Sequence, residues 1–145
     1  MDFFSSMDVS SSGMAAERTR MNLISSNIAN ANSTRTQEGG PYKRKDPVFS
    51  AVPASGSFNS VLDRNGAAGV KKVEVTQIRE DKSPPRMQYD PTHPDADGQG
   101  YVSLPNVNVI EEMVDMITAT RAYEANVTAA QAAKSMAMKT LELLR

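Results

Sequence analysis

The strongest constraint on the fold is that helix-type apolar patterns stand at both ends of the chain, on either side of a polar middle. Met7, Met14, Met21 and Ile28 recur at seven-residue spacing near the start. A second apolar stripe begins at Val109 and continues to the end of the chain. Amphipathic helices need a surface that covers their apolar side, and a middle rich in Pro and Gly offers little. We therefore expect these stripes to be buried against each other or against neighbouring chains.

The first segment predicted to be helical covers residues 5–31. Serine and aspartate cap helix N-termini well, and candidate caps stand at its start: Ser5, Ser6 and Asp8. Asparagine is a poor helix former and suits a C-terminal cap and the turn after it. The helix is therefore expected to end within an asparagine cluster made of Asn27, Asn30 and Asn32.

The apolar side of this first helix is expected to form a coiled-coil seam. Adding Ile24 and Ala31 to the methionine series gives an a/d-like pattern. Ser10 and Glu17 fall on the same seam and interrupt it.

The last helix is predicted to start after a cap at Asn106 or Asn108 and to run to Leu144. Glu111 and Glu112 suit its first turns, where we expect them on a solvated face. Its first apolar stripe comprises Val109, Met113, Met116, Thr120, Tyr123, Val127, Ala130, Ala137, Leu141 and Leu144. A second stripe beside it comprises Ala119, Ala122, Ala129, Ala133, Met136 and Leu143. A helix with two apolar faces is expected to contact more than one neighbour.

The middle of the chain is predicted to be a small, loop-heavy β region. Strands are expected at 45–52, at 70–78 and, briefly, at 101–104, with turns over 90–100. The fold class is therefore mainly α: long N- and C-terminal helices form a coiled-coil unit, and a small β-rich insert lies between them. The corresponding divisions of the chain are 1–33, 34–105 and 106–145.

Charge and cysteine content exclude several classes of function. The chain has 16 basic and 17 acidic residues, a net charge of -1, and no basic run longer than Lys43–Lys45. That pattern does not provide the positive surface that nucleic acids require. The absence of cysteine rules out disulfides, thiolate metal sites and Cys nucleophiles.

The side chains that carry chemistry are sparse. The single histidine, His93, stands among Asp90, Asp95 and Asp97, which we interpret as a turn-rich loop whose aspartates bond their own backbone rather than as a metal site. Paired carboxylates such as Glu80–Asp81 and Glu111–Glu112 fit solvated faces. We expect no catalytic residue, no metal, no cofactor and no small-molecule substrate, and hence no enzyme.

The start of the chain lacks the basic region and the apolar run of a cleaved secretion signal. No segment approaches the roughly 20 apolar residues of a membrane-spanning helix. If the protein leaves the cytoplasm, we expect export without a cleaved signal peptide.

Two terminal stretches resemble a known family. Ser12–Arg18 with Ser26–Asn32, and Asn106–Met116 with Arg121–Asn126, are similar to the N- and C-terminal signatures of bacterial flagellar axial proteins, which are the rod, hook and hook-associated subunits. Within that family, the short length and the loop at Asp90–Asp97 resemble proximal-rod subunits. Hook and distal-rod proteins carry large inserted domains that this chain lacks.

The resemblance implies a structural subunit of the basal-body proximal rod. In such proteins the terminal helices form an inner coiled-coil layer, called D0, around a central export channel, and the tube transmits torque. It implies other rod proteins, copies of the same chain, and ring or export-gate proteins as partners, and delivery by the flagellar type III export apparatus. The residues expected at the assembly interface are Met7, Met14, Met21, Ile24, Asn27, Ile28, Asn30, Asn32, Val109, Met113, Met116, Ile117, Arg121, Tyr123, Val127, Ala130, Met136, Leu141 and Leu144.

Two alternatives remain at this point. A cytoplasmic export chaperone or adaptor would also be small and helical with amphipathic ends. A cell-wall hydrolase that uses Asp95 or Asp97 is the second alternative.

Overall fold

The computed structural model describes residues 3–37, 39–53 and 70–143 of the chain. Two helices stand at the ends of the described chain, and two small β-sheets lie between them, which confirms the mainly helical fold with a β-rich middle. In chain order the elements are α1 (Phe3–Ala29), β1 (Lys45–Pro53), β2 (Lys71–Glu80), β3 (Arg86–Tyr89), β4 (Tyr101–Leu104) and α2 (Val109–Leu143).

The two helices pack against each other in antiparallel orientation. Gly13 of α1 lies against Asn126 of α2, and two turns later Arg20 contacts Asp115. Residue numbers therefore fall along α2 as they rise along α1. The 35 residues of α2 span about 53 Å at 1.5 Å per residue.

Helix α1 starts earlier than its capping residues predict. It already includes Phe3 and Phe4, whose rings meet edge to face with centroids 5.4 Å apart. The predicted caps Ser5, Ser6 and Asp8 therefore lie inside the helix, and that prediction is wrong. At the other end, the Asn30 side-chain amide donates to the Ser26 carbonyl at 2.9 Å and closes the last turn.

Helix α2 starts at the cap that the sequence indicates. The Asn108 side-chain oxygen accepts a hydrogen bond from the Ile110 backbone N–H at 3.1 Å, which satisfies one of the free donors of the first turn. This confirms Asn108, rather than Asn106, as the N-cap.

The β region consists of two antiparallel pairs. Strands β1 and β2 pair from Lys45 opposite Glu80 to Pro53 opposite Lys71, with one irregularity after Val48. Strands β3 and β4 pair from Arg86 opposite Leu104 to Tyr89 opposite Tyr101. The predicted strands β1, β2 and β4 are confirmed, whereas β3 was not predicted.

The β1–β2 hairpin rests on α1. The Val73 backbone N–H donates to the Ser12 hydroxyl at 3.1 Å, and Ala16 and Val73 line the groove between the two elements. Helix α1 thus contacts α2 with one side and the hairpin with another.

The interior of the described chain is small. The largest side chains that are fully buried belong to Glu112, Asn27 and Pro105. The buried hydrophobic residues are Ala16, Ile24, Ala31, Val102, Val107, Ala119 and Ala133. In the part of the chain that is described, neither helix has the length and apolar content needed to cross a lipid bilayer. Because few large apolar side chains are buried, polar contacts must do much to fix the relative positions of the helices and strands.

Candidate assembly interface

The surface between α1 and α2 is built largely from small and polar residues at seven-residue spacing. On α2 the inward positions are Glu112, Ala119, Asn126 and Ala133, of which all but the half-buried Asn126 are buried. On α1 the matching series is Ser10, Glu17 and Ile24, of which all but the half-buried Glu17 are buried, and the buried Ala31 follows at the same spacing in the turn after the helix. Ser10 and Glu17, which interrupt the apolar pattern, therefore lie within the helix contact.

The methionine series lies at the edge of this contact rather than along its centre. Met7 is 39% exposed, and Met14, Met21 and Ile28 are half-buried. The Met21 sulfur lies 3.7 Å from the Thr120 hydroxyl of α2. Met21 thus contacts the helix partner while part of its side chain remains accessible.

Gly13 sets the distance between the helices near the middle of the pair. A Cβ atom placed at Gly13 would lie 2.8 Å from the Asn126 side-chain oxygen and 3.0 Å from its Cγ. Asn126 is held there because its amide donates to the Ala122 carbonyl at 2.9 Å. The absence of a side chain at Gly13 thus allows close approach, which is the usual use of glycine at a backbone contact.

Where the C-terminal half of α1 meets the start of α2, the contact is charged. Glu112 is fully buried, and its two carboxylate oxygens accept from different partners: Oε1 from Arg44 Nε and Oε2 from Asn27 Nδ2 at 3.0 Å. Buried carboxylates are tolerated only when they are paired and hydrogen-bonded, and Glu112 meets both conditions. We call this group the polar cluster; its members are Arg20, Asn27, Tyr42, Arg44, Asp46, Glu112 and Asp115.

Asn27 connects α1 to the segment that leads into β1. Its amide N–H₂ donates to the Lys45 carbonyl at 3.0 Å as well as to Glu112. Its oxygen accepts from the Lys45 backbone N–H at 3.0 Å and from the Tyr42 hydroxyl at 2.9 Å. Asn27 is fully buried, so this predicted interface residue makes its contacts inside the chain.

Arg44 is the cation at the centre of the cluster. It pairs with Asp46, with Glu112 and, at 3.7 Å, with Asp115. Burial lowers the pKa of the Arg44 guanidinium, but the hydrogen bond to Glu112 and the charges of the three carboxylates raise the pKa more, so that it ends above its ordinary value. Arg20 of α1 also reaches Asp115, at 3.5 Å.

The polar cluster was missed by reasoning from sequence. Glu112 was expected on a solvated face of the first helical turn, and that expectation is wrong because Arg44 and Asn27 enclose it. Its partners stand 68 and 85 residues away along the chain, so no local pattern reveals them. The Asn108 cap indicates where α2 begins, but it does not indicate which residues surround Glu112.

The outward side of α2 carries an apolar stripe over its first nine residues. Ile110 is 73% exposed, and Met113, Val114 and Ile117 are each exposed by 54–55%. Further along the same side the residues are polar, namely Arg121, Glu124 and Thr128. This stripe is an apolar surface that nothing in the described chain covers, and such surfaces mark sites of protein contact.

The other predicted interface residues are spread along the helices. Exposed ones are Asn32, Val109, Arg121, Met136 and Leu141, and half-buried ones are Asn30, Met116, Tyr123, Val127 and Ala130. Arg121 makes no ion pair with Glu124 or with any other residue that the structure describes. Leu144 lies outside the described residues.

The loop at Asp90–Asp97 has the turn structure that the sequence indicates. Asp90 accepts from the Thr92 hydroxyl and backbone N–H at 2.7 and 3.1 Å. Asp97 accepts from the backbone N–H groups of Gln99 and Tyr101, both at 2.9 Å. The bonds from Thr92 lower the pKa of Asp90, and those from Tyr101 and Gln99 lower the pKa of Asp97. Among the described residues, no group of three potential ligands is placed to hold a metal ion.

Comparison with known proteins links both helices to the same class. Residues 7–35 match the family described as flagella basal body rod protein, and residues 99–143 match the C-terminal family of the flagellar basal body rod FlgEFG proteins. The two matches cover most of α1 with the turn that follows it, and α2 with the strand before it.

Whole-chain relatives agree. The chain is 46% identical over 154 residues to the flagellar basal-body rod protein FlgC of Borreliella burgdorferi, covering 100% of this chain and 99% of the relative. Identity to FlgC of Bacillus subtilis is 46% over 151 residues, covering 99% of both chains. For Salmonella typhimurium FlgC it is 39% over 136 residues, covering 94% of this chain and 93% of the relative.

These matches extend over nearly the entire length of each protein. They give no support to the export chaperone considered as an alternative, and the named relatives are structural proteins of the rod. The chain belongs to the FlgC family of flagellar basal-body rod proteins, as a structural subunit of the rod.

Proposed function

We propose that this rod subunit assembles through its terminal helices into a helical tube that lines the export channel and transmits torque. The observation that carries the proposal is the apolar stripe on α2, formed by Ile110, Met113, Val114 and Ile117, each more than half exposed. Because more than half of each side chain is exposed, this surface is available to a neighbouring subunit. Covering the part of each side chain that is still exposed would contribute on the order of 1 kcal/mol.

The helix pair suits the inner, coiled-coil layer of such a tube. Inward positions recur every seven residues on both helices, which is the repeat of a left-handed coiled coil. In this proposal residues 1–33 and 106–145 form the inner layer, and residues 34–105 form the outer one. Contacts between unlike faces of successive subunits extend into a helical array because they do not close into a ring.

The predicted interface residues divide between two tasks in this arrangement. Ile24 and Asn27 are buried within the chain and hold the helices together. Exposed residues contact neighbours, which we propose to be copies of this chain, other rod proteins and, at the base, ring or export-gate proteins. The subunit would reach the periplasm-spanning rod through the flagellar type III export apparatus, without a cleaved signal peptide.

The test is a charge placed on the exposed stripe. Ile117→Asp should leave the fold unchanged, because Ile117 is 54% exposed, and should prevent incorporation by placing a carboxylate in an apolar contact. We expect the variant to be secreted, to keep the parent's circular dichroism spectrum, and to be absent from purified basal bodies of non-motile cells.

The matched control is Thr128→Asp, which places the same charge on the polar part of the same side of α2. It should retain motility. Motile Ile117→Asp cells whose basal bodies hold the normal amount of the subunit would contradict the proposal.

A further inference from the structure

Three structural elements meet at the polar cluster, and each contributes a side chain that is hydrogen-bonded to a residue of another element. Helix α1 supplies Asn27, the segment entering β1 supplies Arg44, and α2 supplies Glu112. The backbone of Lys45, the first residue of β1, exchanges two hydrogen bonds with Asn27. The cluster is therefore shared by the helix pair and the base of the hairpin.

Neither Asn27 nor Glu112 has an alternative partner in water, because both are fully buried. Asn27 uses both N–H donors and accepts two further hydrogen bonds at its oxygen. Withdrawing α2 would leave an amide donor unpaired, and withdrawing the β1 segment would leave the Glu112 carboxylate without its cation. An unpaired buried charge costs far more than the pair contributes.

We infer that the polar cluster couples pairing of α1 with α2 to docking of the β1–β2 hairpin, so that the two form together and are lost together. The nearby apolar side chains do not impose such coupling, because burial of apolar surface is non-directional and the hydrophobic residues buried here are few: Ile24, Ala31 and Val107. The planar guanidinium of Arg44, in contrast, fixes direction as well as distance. This inference concerns the single chain and does not depend on how subunits assemble.

The cysteine-free chain makes the two events separately measurable. A Gly13→Cys/Asn126→Cys pair reports helix pairing, because a Cβ at position 13 lies 3.0 Å from the Asn126 Cγ, close to what a disulfide needs. A Ser12→Cys/Val73→Cys pair reports hairpin docking, since the Ser12 hydroxyl lies 3.1 Å from the Val73 nitrogen. Each pair is introduced into a separate full-length chain.

The decisive variant is Glu112→Gln, because a glutamine has one acceptor where Arg44 and Asn27 both donate. One of these two donors then faces an N–H₂ group, and a buried unsatisfied donor results. We expect the initial rate of both disulfides to fall by the same factor, at least about tenfold. The control Glu111→Gln, at the exposed neighbouring residue, should change either rate by less than about twofold.

Several results would overturn the inference. If Glu112→Gln slows the formation of one disulfide but not the other, pairing and docking are independent. If it slows neither, the polar cluster does not control them. Failure of the parent chain to form either disulfide would overturn the contacts on which the inference rests.

Global unfolding is checked by circular dichroism on the same samples. If Glu112→Gln abolishes the helical signal, both disulfide rates are measured in Arg44→Lys instead, because lysine keeps the charge but lacks the planar guanidinium. It is compared with Arg79→Lys, at an exposed arginine of β2. Equal slowing of both disulfides in Arg44→Lys alone supports coupling, and unequal or absent slowing overturns it.

Discussion

The two ends of the helix pair are held together by different chemistry. At the junction end, where α1 finishes and α2 starts, buried charges and amides of the polar cluster connect the helices to the β region. At the far end, where α1 starts and α2 finishes, the buried residues are Ser10 and Ala133. Within the described chain, no ion pair joins the helices beyond the one between Arg20 and Asp115.

The far end also leaves large apolar side chains exposed. Phe4 is 75% exposed, Leu141 68% and Leu143 87%. Contacts within the chain therefore fix the geometry of the junction. At the far end the internal contacts are too small to do so, and the exposed apolar groups are available to other chains.

The largest effect is expected from Arg44→Met at the junction. It leaves the buried Glu112 carboxylate without its cation, and breaking a buried pair in this way costs about 3–5 kcal/mol. Urea unfolding followed by circular dichroism should show the loss. The control is Arg79→Met at an exposed position of β2, and equal losses for the two variants would contradict a specified junction.

A smaller effect is expected at the close contact near the middle of the helix pair. Gly13→Leu places a side chain where even a Cβ would lie 2.8 Å from Asn126, so the helices must separate. Overpacking of this kind costs about 1–3 kcal/mol. Ala15→Leu, at an exposed position of the same helix, should leave the unfolding midpoint unchanged or slightly raised. A Gly13→Leu chain as stable as the parent would show that the close approach is unimportant.

At the far end, Leu141→Gln should hardly alter the single chain. Leu141 is 68% exposed, and surface changes of this kind stay within about 0.5 kcal/mol. The same variant should reduce incorporation into basal bodies, measured by immunoblotting of purified material. A large loss of chain stability would mean that the far end is fixed internally after all.

The smallest effect concerns the loop between β3 and β4. Its bonds from Tyr101 and Gln99 lower the pKa of Asp97 in the folded chain. A lowered pKa adds stability above the pKa of the unfolded aspartate, and this stability disappears as the pH falls through the folded pKa. Asp97→Asn keeps an acceptor oxygen but should remove this acid dependence, which carboxyl NMR titration of the parent chain can verify. An ordinary Asp97 pKa would contradict it.

Much of the backbone could be predicted from local sequence patterns. Alternation identified β2, and the terminal periodicity identified both helices, within a few residues of their observed ends. Strand β3 was not predicted because it is only four residues long and directly follows Pro84–Pro85, although its polar and apolar residues alternate. It is a strand because Arg86–Tyr89 pairs with β4, and that information is not local.

The helix contact was harder to predict, because hydrophobicity is a poor guide to it. The methionine heptad predicted a seam, yet the centre of the contact includes Ser10 and the buried Glu112. A carboxylate becomes a core residue only when its counter-charge arrives from elsewhere in the chain. Proximity of Arg44 to Glu112 depends on the complete fold, so no window of sequence contains the signal.

The polar character of the junction has a consequence for the unfolded chain. When the junction opens, the largest groups returned to water include a carboxylate and an amide, those of Glu112 and Asn27. Water solvates both groups well, so opening this end exposes little new apolar surface. The opening of an ordinary hydrophobic core, in contrast, exposes much more. Opening this end therefore adds little apolar surface to the stripe that is already exposed at the start of α2.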